Sequence, residues 1–165
     1  MRINDLVLAT QELATLRKQA KHNPMIETLT GQVKRAAKND TATLAFYRNA
    51  VQNFPQHRAL IYDYVSLLLQ SKQSETALKL LTEQLIRHPS DTTLYELQAK
   101  AFEMQGKYLE QHQAQAYSYS WQGNVFAAIE QLELAKQAGG SFYQISAVES
   151  ELKELRELTD KLSKE

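Results

Sequence analysis

The sequence has no cysteine, three prolines and five glycines in 165 residues. Without cysteine there can be no disulfides and no thiolate metal sites, and either cytoplasm or periplasm is permitted. Glycine is sparse and Asn-Gly and Asp-Gly turns are missing, so hairpins and sheets are not expected. No run approaches the roughly 18 apolar residues that a membrane-spanning helix needs. Lys+Arg and Asp+Glu are equal at 19 each, which removes the electrostatic case for nucleic acid or an anionic membrane. The amino terminus, Met1-Arg2-Ile3-Asn4-Asp5, has neither the apolar segment nor the cleavage site of a signal peptide. It fits a cytoplasmic protein or a piece of a longer, exported chain.

The expected fold class is all-α. Hydrophobic content of 43% allows one compact domain with a sizeable core. Two amphipathic helices, over 58–71 and 74–88, flank the polar turn Lys72–Gln73 and lie between Pro55 and Pro89, 34 residues apart. A helix–turn–helix with that period is the signature of a tetratricopeptide repeat (TPR). The expected architecture is therefore a TPR-like helical repeat solenoid, a right-handed superhelix of antiparallel helix pairs.

Each 34-residue frame places small and large residues where its helices meet. In the frame from Pro24, Gly31 takes position 8, Tyr47 position 24 and Ala50 position 27. In the next, Leu68, Ala77 and Leu81 fit, while Val65 and Gln84 depart from the small-residue pattern. The frame from Thr92 fits through Ala99, Phe102, Gly106 and Tyr108, then fails at Gln111. The frame from Leu109 fits best, with Ala116, Tyr119, Gly123, Ala128, Leu132 and Ala135. It starts half a period after its predecessor, so helix 108–122 should serve two pairs. The expected domains are 1–23, a helix connecting to an upstream domain; 24–140, repeats over about 24–57, 58–91, 92–123 and the overlapping 109–140; and 141–165, a C-terminal capping helix or short coiled-coil seam. In the last helix, Glu149/Lys153, Glu157/Lys161 and Asp160/Lys164 are spaced for i,i+4 ion pairs.

No catalytic chemistry is visible. His22, His57, His88 and His112 form no His-Glu-x-x-His pair; the first three are expected beside helix ends, where a cation suits the last turn. Gly139-Gly140 reads as a helix end rather than a phosphate cradle, and Ser141 with Gln144 as a capping box. No cofactor, metal or catalytic site is expected in this chain. The remaining candidate is the concave face, formed by inner positions of the first helix of each repeat: Gln32 and Arg35; Tyr62, Ser66 and Leu69; Glu96, Lys100 and Glu103; and Tyr117, Ser120 and Trp121. For Tyr117 and Trp121 groove and core readings are balanced, and Tyr119 is expected in the core. The Lys and Asn that clamp the carboxylate tail of cytosolic chaperones are not at those positions.

The carboxyl half carries a specific likeness. Glu110-Gln-His-Gln-Ala-Gln-Ala-Tyr117, Gly123-Asn124, Ala127-Ala-Ile-Glu-Gln-Leu-Glu-Leu-Ala135, Phe142-Tyr-Gln-Ile-Ser146 and Leu152-Lys-Glu-Leu-Arg156 resemble the tail of periplasmic zinc metalloproteases of the beta-barrel-assembly-enhancing type. The likeness is specific over 108–156 and looser over 24–105. Those proteins join a His-Glu-x-x-His peptidase domain to a TPR domain. The peptidase domain is absent from this sequence, so no catalytic residue carries over and zinc is expected only in that other domain. The resemblance implies a periplasmic interaction domain. Its partners would be its own peptidase domain, outer-membrane assembly proteins and substrates. On the residues alone, a free-standing cytoplasmic TPR adaptor is the alternative.

Overall fold

A computed structural model describes residues 3–20, 22–37 and 40–162. The chain divides into two compact units, Met1–Ser71 and Lys72–Glu165, rather than the single compact domain expected from its length. A repeat stack builds its core locally, each helix against its neighbours, and has no single centre. The helix pair flanking Lys72 is thereby divided between the units.

The first unit contains α1 (Ile3–Gln19), α2 (Pro24–Ala36), α3 (Asp40–Asn53) and α4 (Arg58–Gln70). Asn23 caps α2, its side chain accepting from the Met25 N–H at 2.9 Å, with Pro24 at the first helical position. On α1, Leu13 is buried and Leu16 is 41% exposed. The surface α1 packs on is α2, where Arg17 makes a two-point ion pair with Glu27 at 2.9 and 3.1 Å. The core of the unit is Tyr47, Leu60, Ile61, Val65 and Leu68, all essentially inaccessible. Gly31 is there for space. A Cβ on it would stand 2.6 Å from Cε1 of Tyr47 and closer still to Cζ. Asn39, whose Asn-Asp pair with Asp40 suggests a break between helices, lies outside the described residues.

The second unit contains α5 (Ser74–Arg87), α6 (Thr92–Glu103), α7 (Tyr108–Trp121), α8 (Val125–Ala138) and α9 (Phe142–Leu162). Helix α7 packs extensively on both α6 and α8, as the half-period overlap requires. The turns on either side of α7 are copies of one another, 17 residues apart. Gly106 and Gly123 have φ of +69° and +77°. The following N–H groups, of Lys107 and Asn124, reach back to the Phe102 and Tyr119 carbonyls at 3.0 and 2.9 Å. The corresponding residue of the preceding frame is Lys72, held at φ +58° without glycine's freedom.

Leu109, Ala116, Ala128, Leu132, Ala135, Val148 and Leu152 form one buried cluster, against which Tyr119, Ile129, Ile145 and Leu155 pack. The two departures Val65 and Gln84 are buried as well, and Gln84 encloses an Oε1 with no hydrogen-bond partner. The capping box forms: the Ser141 N–H donates to Gln144 Oε1 at 3.0 Å and the Gln144 N–H to Ser141 Oγ at 3.4 Å.

Two local expectations need correction. Glu149 pairs with Lys136 of α8 at 2.7 Å rather than with Lys153, and Lys153 instead meets Glu157 at 3.9 Å. Lys136 reaches Glu149 from the neighbouring helix, and both side chains stay about half exposed. Lys164 lies outside the described residues. His57 stands at the N-cap of α4, bonded to Thr28 Oγ1 at 3.1 Å, instead of at a helix C-terminus.

Candidate protein-interaction surfaces

In the first unit, α2 and α4 stand as successive first helices, and their side chains meet about one period apart. Gln32 Nε2 donates to Asp63 Oδ2 at 3.3 Å, and Arg35 Nη2 to Gln70 Oε1 at 3.1 Å. Arg35 Nη1 lies 3.6 Å from Asp63 Oδ1. The Tyr47 hydroxyl, coming from α3 past Gly31, also donates to Asp63 Oδ2, at 3.3 Å. Asp63 is thus shared by three helices. Burial, then the nearby Asp63 charge, push the Tyr47 phenol well above the ordinary phenol range. Arg35 is therefore committed to holding α4 on α2 and is not a free contact residue. Leu69, expected on the groove, is 8% exposed and belongs to the core, because α4 is apolar on most of its circumference. Tyr62 and Ser66 are half-buried and Gln32 exposed.

In the second unit the expected face separates into two surfaces. Glu96, Lys100 and Glu103 line a groove of about 300 Å³ along α6 and α7, together with Gln115, Ser118, Tyr119 and Gln122. Neither Tyr117 nor Trp121 is in it. They face another way on α7, where Tyr117 packs on the Tyr95 ring, centroids 5.4 Å apart, and donates to Glu151 Oε1 at 2.6 Å. Gln113 Nε2 reaches the same oxygen at 3.4 Å. Burial, then the bond to Glu151, hold the Tyr117 phenol far above its usual value. Trp121 is 54% exposed, so it is a surface residue and not core. Ser120 is half-buried. Tyr119 packs on the core cluster, as expected, while also forming part of the groove wall.

Asp63, Gln70, Gln113 and Glu151 were missed by the sequence reading. A usable signal existed for two of them. Asp63 is the only acid in the apolar helix α4, and Glu151 stands one 34-residue period after Tyr117. A further groove, of about 340 Å³, runs between α1, α2 and α3, walled by Leu13, Ala14, Val33 and Ala42. Arg17 and Lys34 both lie over the Phe46 ring nearby, at 5.7 and 5.5 Å. His112 bonds to Gln131 at 2.9 Å. Among the described residues no group of three or more His, Asp or Glu side chains could hold a metal ion, and no helix is long and apolar enough to cross a membrane.

Comparison with known proteins agrees with this geometry. The family profile described as "Tetratricopeptide repeat" matches residues 35–101. No curated protein matches the chain. Among solved structures, one titled "MamA RS-1 ArsTM double mutant" is similar with a TM-score of 0.63 at 15% identity, over 96% of this chain and 89% of that one. Another, MamA 41-end from Desulfovibrio magneticus RS-1, is similar with a TM-score of 0.62 at 15% identity, over 94% and 86%. The chain has a tetratricopeptide-like helical-repeat fold.

Proposed function

We propose that this chain is a protein-interaction domain of a zinc-dependent metalloprotease, docking the protease to outer-membrane assembly machinery, to its substrates, or to both. The observation that carries the interaction reading is the repeat stack itself. Its helices are tied together by polar pairs such as Gln32 with Asp63 and Tyr117 with Glu151, and leave open grooves beside them, one lined by Glu96, Lys100 and Glu103. The attachment to a protease rests on the resemblance over 108–156, which falls on α7, α8 and α9. In that reading the chain works in the periplasm, its own peptidase domain is one partner, and zinc belongs to that domain.

The free-standing adaptor is the second reading, and the likeness to the MamA structures, of which this chain spans 89% and 86%, suits it. The two differ in compartment and in what the parent reading frame encodes. Cross-linked capture on the immobilised chain, from periplasmic and cytoplasmic extracts in parallel, tests both. The protease reading expects outer-membrane assembly proteins from the periplasm, with less capture by Lys100→Glu. Partners from the cytoplasm alone would overturn it in favour of the adaptor. No specific partner from either extract would overturn the interaction function.

A further inference from the structure

The α7–α9 face has an unusual charge distribution. Between Lys107 and Lys136 the sequence contains no Lys or Arg. The cations of α8 and α9 nearest this region are engaged with acids: Lys136 with Glu149, Lys153 with Glu157, and Arg156 with Glu133. Glu133, Lys136, Glu149, Lys153, Arg156, Glu157 and Asp160 line one shared cleft, in which each of the three cations has a carboxylate partner. Glu151 is not part of it. Its carboxylate turns to α7, where Oε1 accepts from two neutral donors, the Tyr117 hydroxyl and the Gln113 amide. Its Oε2 is enclosed with no hydrogen-bond partner. A carboxylate answered only by neutral groups in a partly dry setting keeps its attraction for a cation.

The same face carries aromatic surface. Tyr117 and Trp121 are one helical turn apart, on the same side of α7, and Tyr95 packs against Tyr117. Trp121 is 54% and Tyr117 36% exposed. Aromatic faces beside an unanswered carboxylate are the surroundings that attract a guanidinium, which stacks on the rings while the carboxylate supplies the charge.

We propose that the Tyr95–Tyr117–Trp121 face beside Glu151 is a docking site for a basic segment of a partner protein, with an arginine side chain seated on Trp121. This rests on the interaction function proposed above and adds the chemistry of the partner. Trp121 is the only tryptophan, so its emission reports the site directly. The whole chain is titrated at low salt with peptides carrying arginine, lysine or glutamate in one Gly-Ser frame. The arginine peptide should shift the Trp121 emission, the lysine peptide should bind more weakly, and the glutamate peptide should do nothing. By anisotropy of a labelled arginine peptide, Trp121→Ala should weaken binding about tenfold, while Trp121→Phe retains most of it. Glu151→Gln should also weaken it, with circular dichroism confirming that α9 stays folded. Unchanged emission with the arginine peptide, equal binding of the glutamate peptide, or undiminished binding to Trp121→Ala overturns the assignment. Capture of native partners that survives both Trp121→Ala and Glu151→Gln at full strength refutes this site alone and leaves the interaction function standing.

Discussion

Replacing Gly31 by alanine sets two physical effects against each other. By helix propensity alone the change should stabilise α2, since glycine in a helix interior costs about 1 kcal/mol relative to alanine. The tertiary structure reverses the sign. The added Cβ would lie 2.6 Å from Cε1 of Tyr47, well inside van der Waals contact. Tyr47 cannot move aside freely, because it is fully buried and its hydroxyl is tied to Asp63. Overpacking of this kind costs about 1–3 kcal/mol. Losing a hydrogen bond to a charged group adds about 1.5–3 kcal/mol. After the propensity gain, and because the two losses share one displacement and do not add fully, Gly31→Ala should destabilise by about 2–4 kcal/mol. Urea denaturation followed by helical ellipticity measures it. The double variant Gly31→Ala/Tyr47→Leu should recover part of the loss due to Gly31→Ala, relative to Tyr47→Leu alone. An unchanged or raised midpoint for the single variant would refute the close approach of α2 and α3.

Other outcomes follow from the same contacts. Ala128→Leu, in the fully buried cluster of the second unit, should lower stability by about 1–3 kcal/mol in denaturant titration. Lys72→Gly should raise the melting temperature, relieving roughly 1 kcal/mol of left-handed strain that Gly106 and Gly123 avoid in the equivalent turns. Ser141→Ala should cost about 1 kcal/mol and speed hydrogen exchange in the first turn of α9, where the capping box is lost. Stability should also fall as pH rises past about 10, the ordinary phenol value. The folded-state pKa values of Tyr47 and Tyr117 are raised, so above that pH the unfolded chain sheds protons that the folded chain retains. The stabilisation is fully present below the unfolded value. Denaturation midpoints compared at pH 8 and pH 11 should show the drop, and Tyr47→Phe should reduce it.

Much of the fold could be read from the chain. Pro55 and Pro89 announced the period, Gly31 and Tyr47 occupied complementary positions, and Gly106 and Gly123 revealed the half-period step that makes α7 a shared helix. The site was less legible. Arg35 and Leu69 stood at inner positions by count, yet one is bound to Asp63 and Gln70 and the other is buried. A repeat count gives only angular position on a helix. Whether a side chain at that angle meets solvent, a charge or a neighbouring helix depends on residues far away in sequence.

The sequence by itself determined the all-helical class, the 34-residue period and the turns, because periodicity, capping and left-handed glycines act within a few residues. The tertiary structure alone decided that Asp63 gathers three helices, that Glu96, Lys100 and Glu103 share a groove without Tyr117 and Trp121, and that Glu151 meets Tyr117 and Gln113 while Glu149 and Glu157 meet lysines. Those outcomes depend on which helix faces meet, and only the packed chain brings residues some 30 positions apart close enough for their charges and hydrogen bonds to act.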